Sequence, residues 1–90
     1  MSAEVRVGRV KDGAVKLVLT LVNTASTPTA LLSITAKGAD PVVLPQPFEV
    51  AGFGTGELKI TLVFQGEVPG RFTAMLDFGD HGHRSVTVTL

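Results

Sequence analysis

Glu57-Leu58-Lys59-Ile60-Thr61-Leu62-Val63-Phe64 sorts into two lists when every second residue is read. Leu58, Ile60, Leu62 and Phe64 fall on one face, and Glu57, Lys59, Thr61 and Val63 on the other. Side chains of an extended chain point alternately to opposite sides, so this period marks a half-buried β-strand. Arg71–Phe78 repeats it: Phe72, Ala74, Leu76 and Phe78 lie on one side, Arg71, Thr73, Met75 and Asp77 on the other. No window sustains a helical period. Apolar alternation interrupted by turn residues about every 8–12 positions predicts an all-β sandwich.

Working outward, Glu4–Val10 reads as a first strand with Val5 and Val7 inward, and Gly8 as a bulge that throws Val10 out of phase. Lys11-Asp12-Gly13 carries a hairpin turn signature. Ala14–Val22 follows with Val15, Leu17, Leu19 and Leu21 inward. After the polar loop Asn23–Pro28, Ala30–Ala36 is expected to bury Leu32 and Ile34. Prolines bracket Pro41–Pro45 and recur at Pro47, which confines that piece to a sheet edge or a crossing segment because proline lacks an amide hydrogen. Phe48–Val50 reads as a separate edge strand, and Gly52, Gly54 and Gly56 as flexible backbone. Gly79–His83 makes a loop into Arg84–Leu90, with Val86, Val88 and Leu90 inward. The count is about seven strands in a single domain spanning 1–90.

Composition narrows the functional classes. Eight basic and eight acidic residues cancel, which argues against nucleic acid and offers no case for an anionic membrane surface. No apolar run approaches the ~20 residues of a membrane span, so no membrane insertion is expected. Met1-Ser2-Ala3-Glu4 lacks the features of a secretory signal, and the compartment stays open. Cysteine is absent, leaving packing to supply stability and removing thiolate chemistry.

Three segments carry a family resemblance. Leu19–Thr24 runs as a strand into Asn23 and then Ala25-Ser26-Thr27-Pro28; Glu49–Leu62 passes through a glycine-rich turn; Pro69-Gly70-Arg71-Phe72 opens the penultimate strand. Together they resemble an immunoglobulin-like antiparallel β-sandwich domain of the kind in Hydin-type ciliary repeats, adaptor-protein appendage ears and bacterial modules. The antibody-type Cys, Trp and corner Tyr are missing. The resemblance implies a protein-binding or structural module. Leu19–Leu44 is also similar to the early part of periplasmic copper chaperones, although the chain has only Met1 and Met75 and no His-x-Met pair.

Candidate chemistry is sparse. Asp80, His81 and His83 are the one cluster that could attract copper or zinc, and they found the alternative reading of a small metal-binding protein. The simpler reading is a turn that takes Asp and Gly for its backbone and carries exposed histidines. The serines have no His and Asp at recognisable offsets, the carboxylates are scattered, and no enzyme activity is expected. The Gly52-x-Gly54-x-Gly56 run lacks the helix that would make it a phosphate loop. Val18, Val22 and Val63, with Leu31 and Met75 on the opposite sheet, are expected on outward faces. They are the candidate surface for a protein partner or self-association, with strand addition along Phe48–Val50 as a second route. No cofactor is needed for that role.

Overall fold

The computed structural model describes every residue from Met1 to Leu90. Its strands are β1 (Ser2–Lys11), β2 (Ala14–Val22), β3 (Thr29–Ala36), β4 (Val42–Val50), β5 (Thr55–Val63), β6 (Arg71–Asp77) and β7 (His83–Thr89). A single 3-10 turn, Gly79–His81, precedes β7. One sheet has the order β1-β2-β5 and the other β4-β3-β6-β7, with every pairing antiparallel. The chain is thus an all-β sandwich of seven strands, as its alternation predicts.

The core is the alternation made solid. Val15, Leu17, Leu19 and Leu21 of β2, Ile60 and Leu62 of β5, Ala74 and Leu76 of β6 and Val88 of β7 are all buried between the sheets. Each large aliphatic side chain so buried contributes about 1.5–3 kcal/mol relative to exposure. Phe64 and Phe72 bridge the layers edge to face, with ring centroids 4.9 Å apart, a favoured arrangement because a ring's positive edge meets a negative face. Val7 and Leu90, both expected inward, are exposed, Val7 because β1 is an edge strand and Leu90 because it lies beyond the end of β7.

Two irregularities decide local geometry. At the Gly8 bulge, Val7 pairs with Leu17 but Arg9 pairs with Lys16, so one residue is added on β1. The extra residue restores phase: Val10 returns opposite Val15, and Arg9 and Lys11 turn outward. Asp12 and Gly13 then close a two-residue hairpin with positive φ at both positions (52° and 83°), as the type I′ turn of a twisted hairpin requires.

The second irregularity corrects the expected faces of β3. Leu31 pairs with Phe48 and Ser33 with Val43, so β4 advances five residues while β3 advances two. Pro45 and Pro47 fall in that excess, where missing amide hydrogens cost no ladder bonds. Burial in β3 shifts with it: Thr29 and Leu31 point inward, then Ile34. Leu31 is therefore a core residue with 0% exposure and not a surface one. Leu32, expected in the core, is displaced to a half-buried place beside Gly79 of the 3-10 turn. The proline-bounded segment and Phe48–Val50 also merge into one edge strand, β4.

Candidate functional site

The informative end of the sandwich gathers the β2–β3 loop, the β4–β5 turn and the 3-10 turn. Asn23 organises it. The residue is buried (3% exposed), and its Nδ2 donates to the carbonyls of Thr27 (2.8 Å), Ala51 (3.2 Å) and Val50 (3.3 Å). Its Oδ1 accepts from the amide of Ala25 at 3.0 Å. A buried amide is tolerable only when its polar atoms are partnered, and here the partners lie on two loops far apart in sequence. Asn23 closes its own loop and fastens it to the turn that follows β4.

That turn is tightly held. Gly54 N–H donates to Ala51 O (2.8 Å), Phe53 N–H to Ala25 O (2.9 Å), and Asn23 N–H to Gly54 O (2.9 Å). A Cβ at Gly52 would collide with the Ser26 carbonyl, so glycine is required by close backbone approach. Gly56 leaves the space that the Phe48 ring fills, since a Cβ there would lie 2.8 Å from the ring. The glycine run is packed backbone, contrary to the flexible loop expected of it.

At the tip of this turn stands Phe53, with φ of 56° and 74% of its surface exposed. A bulky residue in the left-handed region is strained by about 1–2 kcal/mol, because its Cβ approaches the following carbonyl. An exposed aromatic ring recovers none of that cost through burial. Val22, itself partly exposed, pairs with Thr55 at the same end of the sheet.

The histidines lie close by but do not converge. His81 Nδ1 sits 3.1 Å from the hydroxyl of buried Thr29. His83 Nε2 sits 3.6 Å from Asp77 Oδ1. Asp80 is exposed within the 3-10 turn, and no three His, Cys, Asp or Glu side chains are grouped to hold an ion. Thr29, Phe78 and His81 line both a cavity of about 430 Å³, shared with Glu49 and Asp80, and one of about 200 Å³, shared with Asn23 and Arg84.

The expected apolar surface is dispersed. Val18 is half-buried on β2 between Arg6 and Lys59; Val22 lies opposite Ser2 and Thr55; Val63 lies opposite Ala14. Strand β2 does pair with β5, but Lys16–Thr61 and Thr20–Glu57 pairs separate the three valines. Met75 faces outward at 40% exposure between Thr35 and Ser85. Asn23 and Phe53 were not among the residues expected to matter. Only the strand-to-Asn motif hinted at the first, and nothing local marked the second.

No family model matches this chain, and no curated protein matches it. A solved protein from Archaeoglobus fulgidus is similar over the whole of this chain and 96% of its own, at 15% identity and a TM-score of 0.43.

Proposed function

We propose that this chain is a non-catalytic protein-interaction module of the immunoglobulin-like type. It would bind through the loop end where Phe53 projects. The pairing of β2 with β5 and of β3 with β6 fits the immunoglobulin-like reading. The observation that carries the binding role is Phe53 itself: an exposed aromatic in a strained conformation, on a turn held by backbone hydrogen bonds from Phe53 to Ala25 and from Gly54 to Ala51. Strain and exposure both disfavour the folded domain, and such costs are characteristic of places that function maintains. Rigid aromatic side chains are also the common anchors of protein interfaces, since little freedom is lost when they dock. The partner this implies is a protein with an apolar pocket the size of one ring.

Other routes fit less well. Pro45 and Pro47 interrupt the amide donors of β4, which leaves strand addition only short stretches such as Phe48–Val50. The dispersed valines give no contiguous patch. The experiment is photocrosslinking from p-benzoylphenylalanine at position 53 in the source cells. The expected result is a discrete adduct competed away by the unmodified domain and not by a Phe53→Ala domain, whose binding should fall by about 30-fold or more, as for a hot-spot residue. An adduct competed equally by both would refute the assignment.

A further inference from the structure

The outer face of the β1-β2-β5 sheet carries five of the chain's eight basic residues: Arg6, Arg9, Lys11, Lys16 and Lys59. Their placement is not even. The Gly8 bulge turns Arg9 outward directly opposite Lys16, and Lys59 lies diagonal to Lys16 across β2 and β5. All three line an open depression of about 420 Å³, together with Gly8, Val18 and Thr61. Like charges directly opposed across a ladder are destabilising. The chain has eight acidic side chains with which to relieve this, yet the one Arg or Lys ion pair on the molecule is Arg6–Glu57, at 3.8 Å. Arg9, Lys16 and Lys59 have no carboxylate partner.

We propose that this depression binds a phosphoryl group. Three uncompensated cations converge from three strands on a space larger than one tetrahedral oxyanion, which leaves room for the group's carrier. A dianion relieves the mutual repulsion more fully than a carboxylate does. Arg9 offers a planar fork of donors suited to paired phosphate oxygens, and Lys16 and Lys59 supply point charges. The Thr61 hydroxyl, opposite Lys16, adds an uncharged donor. The site lies on a sheet face, not on the loop end that carries Phe53, and it stands whether or not Phe53 is an anchor.

The test is an amide-resolved NMR titration with inorganic phosphate, against sodium chloride at matched ionic strength, on the parent and on Lys16→Gln and Lys37→Gln variants. Saturable shifts at Gly8, Arg9, Lys16 and Thr61 are expected with phosphate and not with chloride. Binding should weaken about fivefold in Lys16→Gln, as suits one solvent-exposed ion pair, and stay unchanged in Lys37→Gln. The Lys16→Gln domain should melt no lower than the parent, since it loses a like-charge contact. A second arm uses phosphatidylcholine vesicles with and without phosphatidic acid. Selective co-sedimentation with the acidic vesicles would assign the phosphoryl group to a lipid headgroup; phosphate binding without it would assign a soluble ester. Equal response to chloride, shifts centred elsewhere, or an unaffected Lys16→Gln variant would overturn the proposal.

Discussion

Replacing Asn23 with alanine should undo the loop end from within. Nδ2 carries two hydrogens, so its three carbonyl contacts amount to one full bond to Thr27 and one shared between Val50 and Ala51. With the bond from Ala25 to Oδ1, three bonds' worth of interaction is lost. At about 1 kcal/mol each, with exposed Ala25 and Thr27 regaining water and buried Val50 left short of a partner, the cost is about 3 kcal/mol. A domain of this size shifts by about 4–8 °C per kcal/mol, so its melting temperature should fall by about 12–24 °C. Asn23→Asp separates hydrogen bonding from shape: it keeps the volume and the acceptor but turns a carboxylate toward three carbonyl oxygens, and should be at least as damaging. Thermal unfolding by circular dichroism measures both, and amide exchange at Phe53, whose N–H is bonded to Ala25, should accelerate with them. A fall of less than about 4 °C for the alanine variant, or an aspartate variant as stable as the parent, would refute the assignment of Asn23 as the fastening of the two loops.

Three further outcomes follow from the same geometry. Leu31→Ala should cost about 2–5 kcal/mol by emptying a core site, and Leu32→Ala clearly less; denaturant unfolding that ranks them in reverse would contradict the phase shift in β3. Phe53→Asn should raise stability by about 0.5–1 kcal/mol, because asparagine tolerates positive φ better than a bulky ring, and a lowered melting temperature would show that the ring packs on the domain. Val18→Lys adds a cation beside Arg6 and Lys59 and removes a half-buried methyl pair. It should destabilise by about 1 kcal/mol, with part of the loss recovered at high salt; a salt-independent loss would mean that packing alone is involved.

Much of the architecture was legible along the chain. Alternation located β2, β5, β6 and β7 and named most of the core. Asp12-Gly13 announced its turn, Gly8 its bulge, and the prolines an edge. The local readings failed where the partner strand, not the residue itself, sets the face. Leu31 and Leu32 are adjacent leucines, and only the accumulated residues of β4 opposite them decide which one is buried. The cationic depression was hidden by a net charge of zero, because cancellation over the whole chain says nothing about a face on which basic residues from three strands are brought together.

Period-two burial is a property of neighbouring residues, so the sequence by itself determined a seven-stranded β-sandwich with a packed aliphatic centre. Tertiary structure alone decided which loops meet. Asn23 and the carbonyls of Val50 and Ala51 are far apart along the chain, and their contact depends on β2 pairing with β5 while β3 pairs with β4. The exposure of Phe53 and the gathering of Arg9, Lys16 and Lys59 arise in the same way. Each depends on distances between strands, which no local pattern encodes.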